Sequence, residues 1–508
     1  MTMMNEFNWH FYSAGIAEIF VMVVCLVLLV AGAFSHKSVE GKFVRNLTML
    51  GLLGALVMVV GHIPEVREFA FPVVEHAMPS GAMVSLFVND KFTVFLKVFI
   101  ILSAMLSLYL VDDYMTRKKT RKYEYDILIL LSVLGAMIMV SAADLLMLYI
   151  GLELMSFSLY ILTAFHRKEA KSSEAGLKYF ILGSIASGLL LFGMSYIYGL
   201  TGETSFDGLQ QAFASGIAIQ DAPMMLTFAM VLFITGMAFK ISAAPFHMWT
   251  PDVYEGAPTP VTAYMAIVPK IAAMGIFVRV LFEPLMYMAD QWQQIVIALS
   301  ILSMAVGSLM AIVQNNIKRL LAYSSIANIG FMLVPVATAS IHAVDEAMSY
   351  LLVYCMMTLG IFAVILSLRL REKYVERIED LSGLSKTNPS VAAALAILMF
   401  SLAGVPPLAG FMVKYQAFKV GVEMGLTWLV IVAVLLSVVS AYYCLRVVKV
   451  MYFDKGSEVY SPEVPSQIRF IMWAMVALVV GFGILPDTLF QIPATIQQSL
   501  MDATTFNG

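Results

Sequence analysis

Hydrophobic positions along this chain fall in blocks of about twenty residues, the length a helix needs to cross a bilayer core about 30 Å thick. Short polar stretches separate them. Fourteen such blocks are predicted as membrane spans, numbered 1 to 14. They lie near 13–34, 44–63, 87–111, 126–141, 143–165, 174–200, 223–248, 259–282, 292–313, 318–338, 343–369, 389–420, 425–452 and 467–490. The fourth and fifth nearly touch, joined by Ser141-Ala142-Ala143-Asp144. No polar stretch is long enough to form a soluble domain. The pattern predicts an all-α polytopic membrane protein whose whole chain, 1–508, is a single membrane domain.

Two blocks carry their own breaks. In span 7, LTFAMVLFITGMAFKISAAPFHMW, Pro245 has no N–H and its ring displaces the carbonyl of Ile241. In span 12, AAALAILMFSLAGVPPLAGFMVKYQAF, Pro406 and Pro407 free the carbonyls of Leu402 and Ala403, and Gly404 and Gly410 loosen the same turn. Non-helical backbone at membrane depth is tolerated only where it is buried in protein or lines a wet cavity. One proline kink in a membrane helix is commonplace. Two breaks, each with a lysine close by (Lys240 before the first, Lys414 after the second), point instead to a site in a repeat-built transporter. Tyr179 in Leu177-Lys178-Tyr179-Phe180 and Tyr350 in Met348-Ser349-Tyr350-Leu351 align ahead of the two breaks. Spans 4–8 (126–283) and 9–13 (292–453) then read as two five-helix repeats. An odd number of spans per repeat inverts one copy against the other. Residues 1–125 hold the first three spans, and 454–508 hold the last span and C-terminal tail.

Composition narrows the class. Of 508 residues, 60% are hydrophobic and 13% charged, against about 25% charged in soluble proteins. A net charge of −3 leaves no electrostatic footprint for nucleic acid. Cys25, Cys355 and Cys444 are scattered through apolar runs and read as buried hydrophobes, with neither metal spacing nor a disulfide framework. No glycine-rich phosphate loop follows a strand, and no cysteine ligand set exists. Neither metal, nucleotide, flavin nor iron–sulfur cluster is expected in this chain. The first twenty residues lack a basic n-region, so the first apolar run reads as a retained span. Most of the 31 lysines and arginines fall in loops after odd-numbered spans, among them Lys37, Arg117, Lys119, Arg121, Arg371 and Arg446. The opposite loops hold Arg67 and acids such as Glu203, Asp207 and Asp221. The positive-inside rule then puts both termini outside the cytoplasm, in a bacterium the periplasm.

Five ionisable side chains stand out inside the apolar blocks: Glu153, Lys178, Lys240, Lys270 and Lys414. Each costs roughly 2.5–3.5 kcal/mol at the bilayer centre even on a mild scale, and such residues usually mark an ion or proton path. Lysine suits proton carriage because burial readily changes its hold on the proton, whereas arginine stays charged. We expect Glu153 and Lys240 to form an ion pair, Lys270, next to Pro269, to pass protons to the second half, and Lys414 to be the terminal site. Lys178, His247 and Tyr323 are candidate relay groups. Each also has a plain structural reading. Lys178 lies about a turn inside span 6 and can snorkel. His247 can be a satisfied helix-end residue, and Tyr323, close to Lys318 and Arg319, a packing residue. Asp144 reads as a turn residue near the outer surface, Arg279 as a snorkelling residue, and Asp112, Asp113 and Glu174 as members of surface pairs.

GLELMSFSLYIL, LKYFILGSIASG, AFKISAAPFHMWTPDVYEGAPTPVTAYMAIVPKIA, NNIKRLLAYSSIANIGFML and SLAGVPPLAGFMVKY closely resemble the antiporter-like membrane subunits of respiratory complex I. The likeness runs from residue 85 to residue 455, and the TPDVYEGAPTPVTAY stretch is its most specific part. It implies fourteen helices, inverted repeats, a hydrated polar axis at mid-membrane, and proton pumping driven by quinone reduction elsewhere in a complex. The family's glutamate–lysine pair corresponds to Glu153 and Lys240, its connecting lysine to Lys270 and its terminal lysine to Lys414. Its further polar positions fit Lys178, His247 and Tyr323. NAD, FMN, iron–sulfur clusters and quinone would belong to partner subunits, and this chain's partners would be other membrane subunits and the lipid bilayer. Two alternatives stay open: a subunit of a multi-subunit sodium/proton antiporter with the same fold, and a purely structural scaffold. Sodium favours several oxygen ligands, and the axis here is mostly lysine.

Overall fold

Hydropathy alone accounts for most of the architecture. The computed structural model describes residues 15–34, 40–61, 86–118, 120, 122–216, 222–370, 373–455 and 464–490. Lys37, Arg67, Lys119, Arg121, Asp221, Arg371, the side chain of Asp113 and both chain ends lie outside that set, with the expectations placed on them. Among the described residues, thirteen helices are long and apolar enough to cross a membrane, from Ile16–Phe34 to Ser466–Ile484. The remaining crossing is span 12. Its break divides it into Pro389–Ala403 and Ala409–Glu423, each 15 residues and too short to span alone. Span 7 likewise stops early, as Pro223–Ile241, and is followed by the short helix Trp249–Gly256. Three features lie beyond the sequence expectation. Span 8 is discontinuous (Thr259–Met265, then Val268–Phe282), a small helix Phe206–Ala214 joins spans 6 and 7, and Arg369–Leu370 pairs antiparallel with Lys373–Tyr374.

The turn between spans 4 (Tyr123–Val140) and 5 (Leu145–Thr163) is closed by Asp144, as a turn residue should do. Its Oδ1 accepts from the N–H of Leu146 at 2.7 Å, satisfying a donor that the helix start leaves open, and its Oδ2 accepts from Thr204 at 2.6 Å. At the opposite side of the bundle Arg45 meets Asp112, one of the expected surface pairs.

Close helix packing explains why the repeats hold. A methyl on Gly135 of span 4 would sit 2.4 Å from the backbone nitrogen of Met155 and 2.7 Å from the carbonyl of Gly151. A methyl on Gly307 of span 9 (Ala289–Ile312) would sit 2.3 Å from the nitrogen of Ala327 and 2.7 Å from the carbonyl of Tyr323, in span 10 (Ile317–Val336). Each contact residue of the second seam follows its counterpart by the same interval (135 to 307, 151 to 323, 155 to 327). Small residues let membrane helices approach backbone to backbone, where dispersion rather than the hydrophobic effect supplies the attraction. Both neighbours are backbone and cannot swing away. Gly307→Ala is therefore expected to destabilise the protein by about 1–3 kcal/mol through overpacking. A thermal-unfolding scan of the detergent-solubilised protein checks this; an unchanged midpoint would mean the seam has slack.

Spans 8, 10 and 11 (Val344–Ser367) are buried nearly all round, whereas spans 1, 6 (Ala170–Thr201) and 13 (Thr427–Phe453) expose apolar faces carrying Leu26, Ile185 and Val438. The polar side chains of spans 8 and 10 thus face protein. The two breaks, in spans 7 and 12, abut this protein-lined centre through Lys270 of span 8 and Phe331 of span 10.

Candidate functional site

The first break begins one turn before its proline. Span 7 ends at Ile241, and Ser242 takes a left-handed conformation (φ 64°), which a residue with a side chain rarely adopts. Such strain gathers at functional sites. Pro245 stands three residues later and cannot supply the N–H that would answer Ile241. That carbonyl is answered instead by Lys270, whose Nζ donates to it at 2.8 Å. Lys270 is 1% exposed. It belongs to span 8, at the discontinuity beside Pro269. The negative end of the span 7 helix is a natural seat for an ammonium group.

The second break repeats the arrangement by a different route. The first half of span 12 ends at Ala403, and Gly404 takes the left-handed conformation (φ 88°), with Pro407 again three residues on. Lys414, from the second half of the same span, donates to Leu402 at 3.1 Å and Ala403 at 3.3 Å. Its Nζ also lies 5.0 Å from the centre of the Phe331 ring, close enough for a cation–π attraction. The three carbonyls that the prolines of the two breaks free, Ile241, Leu402 and Ala403, each accept from a buried lysine.

Lys240 sits in the last turn of span 7, buried, with its Nζ donating to Ser156 at 2.8 Å. Glu153 accepts a hydrogen bond from Ser187 of span 6. The direct Glu153–Lys240 ion pair expected from the sequence is therefore corrected: each partner meets a serine. Glu153 and Ser156 are three residues apart on span 5 and share a face. Glu153–Ser187 and Ser156–Lys240 are thus two hydrogen-bonded pairs, one turn apart on span 5, that tie it to spans 6 and 7. Tyr160, one turn further along span 5, lies with its ring centre 5.9 Å from the Lys240 Nζ. The two serines were missed because a serine in an apolar run carries no signal of its own.

Lys178, two turns into span 6, sits within a cluster of charges. Its side chain is 43% exposed and pairs with Glu174 at 2.7 Å and Asp252 at 2.9 Å. Asp252 also accepts from Arg319 at 2.6 Å, and Glu255 accepts from Arg319 at 3.2 Å and Lys171 at 3.3 Å. Burial pushes the Asp252 carboxyl up, but hydrogen bonds from Lys178 and Arg319 outweigh it and leave the group below its ordinary value. Lys318, 4% exposed, donates to the carbonyl of Ala257 at 2.9 Å. The short helix Trp249–Gly256 is thus tied to span 6 of the first repeat and span 10 of the second. His247 stands half-buried just before that helix, its Nδ1 buried without a hydrogen-bond partner among the described residues.

In the second repeat Tyr323 is buried in span 10, against Gly307. Its neighbour Ser324 is better connected. Tyr443 donates to Ser324 at 3.0 Å, Asn328 donates to the Ser324 carbonyl at 2.8 Å, and Tyr350 donates to Asn328 at 2.9 Å. A small cavity lined by Ser324, Tyr254, Tyr354, Thr358 and Leu402 lies between this cluster and the carbonyl that holds Lys414. The snorkelling role expected of Arg279 also fails. Arg279 is 1% exposed and binds Asp90 at 2.7 Å, Glu283 at 2.8 Å and Thr93 at 3.0 Å, as a buried charge requires.

The chain is similar to known proteins. Residues 142–440 match the family model described as NADH:quinone oxidoreductase/Mrp antiporter, TM. NADH-quinone oxidoreductase subunit N of Rhodospirillum rubrum is 46% identical over 473 residues, 93% of this chain and 94% of that one. Among solved structures, a chain of respiratory complex I from Thermus thermophilus aligns with a TM-score of 0.75 at 29% identity, over 94% of this chain and 98% of that one. A chain of the Mrp complex from Dietzia sp. aligns with a TM-score of 0.82 at 21% identity, over 97% of this chain and 98% of that one, which is a likeness of fold.

Proposed function

The chain belongs to the NADH:quinone oxidoreductase/Mrp antiporter transmembrane family, alongside the N subunits of NADH-quinone oxidoreductase, and from this we propose how it moves protons. It is a multi-pass membrane subunit of a proton-translocating oxidoreductase complex, partnered by other membrane subunits. Within that frame it carries no redox centre; NAD, FMN, iron–sulfur clusters and quinone act in partner subunits. Protons enter near the half-exposed Lys178–Asp252 pair and His247, reach Lys240 and Glu153, pass by Lys270 toward the Ser324 cluster and Tyr323, and leave from Lys414. The boundaries 126–283 and 292–453 delimit the two repeats that carry these halves. The complex lies in a bacterial inner membrane with both ends of this chain in the periplasm.

The observation that carries the reading is the pair of breaks, each with a buried lysine amine on carbonyls that a proline frees. A lysine held this way can give up its proton without stranding a charge, while the break keeps its shape through Ser242 or Gly404. A rigid scaffold has no need of three amines at such cost. The sodium/proton antiporter alternative shares the fold, but among solved structures the Mrp chain is 21% identical, against 29% for the complex I chain.

Purifying the native assembly and identifying its chains tests the reading. Quinone-site and NADH-site subunits are expected to co-purify with this chain. A stable assembly composed solely of antiporter subunits would overturn it.

A further inference from the structure

A buried ion pair that the proton route above does not use lies beside the first repeat. Glu18 of span 1 is 3% exposed and Lys97 of span 3 (Lys91–Arg117) is 1% exposed. Lys97 Nζ meets Glu18 Oε1 at 2.7 Å, and Ser141 donates to the same oxygen at 2.8 Å. The second oxygen, Oε2, is buried and has no hydrogen-bond partner among the described residues. Two groups gather on one carboxylate oxygen and none on the other. A clamp would use both, and a buried pair is in any case a weak source of stability, because its desolvation offsets its attraction. The open oxygen is the one place on this carboxylate that a proton can reach without displacing Lys97 or Ser141.

Its position suits that use. Asp90, Thr93 and Lys97 are three and four residues apart and line one face of span 3. Leu96 packs on Gly275 of span 8, midway between Lys270 and Arg279. The Glu18–Lys97 pair thus lies at a depth between Lys270 and the Arg279–Asp90–Glu283 cluster. Ser141 then leads to the turn between spans 4 and 5. There its carbonyl accepts from Val88 at 2.7 Å, and Leu86 close by is exposed.

We propose that Glu18, held by Lys97, is a second proton-holding site on the outer side of the lysine line, releasing protons past the Ser141 turn alongside the exit at Lys414. A proton arriving at Oε2 forms an O–H bond, converting the carboxylate to the acid while Lys97 remains an ammonium. Release breaks that same bond, sends the proton to water at the outer face and restores the ion pair. The inference rests on the proton-translocation reading, and its test separates the two.

The double variant Glu18→Gln/Lys97→Met removes both charges together, so no uncompensated charge remains in the interior. It is made in the whole complex, reconstituted in vesicles, and compared with wild type and Lys240→Ala. Assembly is followed on native gels, and NADH-driven acidification by a pH-sensitive dye. The double variant is expected to assemble as wild type does and to lose a measurable share of its acidification, the remainder leaving by Lys414. Wild-type acidification in the double variant, with Lys240→Ala inactive, would overturn this site alone. Failure of the double variant to assemble would also overturn it, because the pair would then be structural. Normal acidification by Lys240→Ala would instead remove the reading beneath it.

Discussion

Replacing Lys240 with alanine is expected to stop proton translocation while leaving the complex assembled. The fold tolerates the change because Lys240 does not hold the break: Lys270 answers the Ile241 carbonyl, and Ser156 keeps its own bond to the carbonyl of Leu152 at 2.5 Å. What disappears is the amine that Ser156 of span 5 holds, one turn along that helix from Glu153. Removing a positioned proton-transfer group typically costs about 10²–10⁴ in rate. Acidification by reconstituted complex should fall by that order, with native-gel assembly unchanged. Glu153→Gln should act in the same direction, since its amide oxygen still accepts from Ser187 but no longer carries the charge. Lys240→Arg separates a proton carrier from a fixed cation. Arginine keeps the positive charge and holds its proton, so it should fail to rescue. Normal acidification by a well-assembled Lys240→Ala complex would end the pathway role of this residue.

The crossings were legible because bilayer thickness sets a length that side-chain chemistry must fill, and fourteen blocks meet it. Proline chemistry was legible in finer detail. It names Ile241, Leu402 and Ala403 as carbonyls without partners, and those carbonyls accept from lysines in the folded chain. Which lysine serves which break was not legible, because that depends on how spans 7 and 8 cross. Lys240 is next to the first break in sequence, yet Lys270 of another span reaches its carbonyl. The Glu153–Lys240 pair went wrong for a related reason. Opposite charges in apolar runs are assumed to meet directly, and the serines that each of them meets instead look like any others.

A second class of misses has one physical source. Glu18, Lys97 and Arg279 stand within a few turns of span ends, where a long charged side chain can reach water at little cost. Hydropathy cannot tell such a residue from one turned inward. Burial decides it: Glu18, Lys97 and Arg279 are closed in by neighbouring spans, whereas Lys178, at the other face, is open and paired. The same limit applies along a helix. Tyr323 and Ser324 are adjacent in sequence but about 100° apart around span 10, and Ser324 is the one that meets Tyr443 and Asn328.

Lys414 gives the sharpest separation of structure from chemistry, because its amine does two things at once. It satisfies the carbonyls of Leu402 and Ala403, and in the proposed route it is where the proton leaves. Lys414→Ala removes both functions and strands two buried acceptors, each costing about 1–3 kcal/mol. That variant should assemble poorly as well as fail to acidify. Lys414→Gln divides them. Its amide N–H groups can still donate to the same carbonyls, so the turn at Gly404 should persist and the complex should form. An amide does not titrate at any pH the membrane meets, so acidification should be lost with assembly intact. The lateral space supports the exchange: the lysine stem passes Gly404, where a methyl would come within 3.2 Å of its Cδ, and glutamine is shorter than the chain already accommodated. If Lys414→Gln acidifies at the wild-type rate, the amine is a hydrogen-bond donor for a broken helix and no more, and the exit must lie elsewhere.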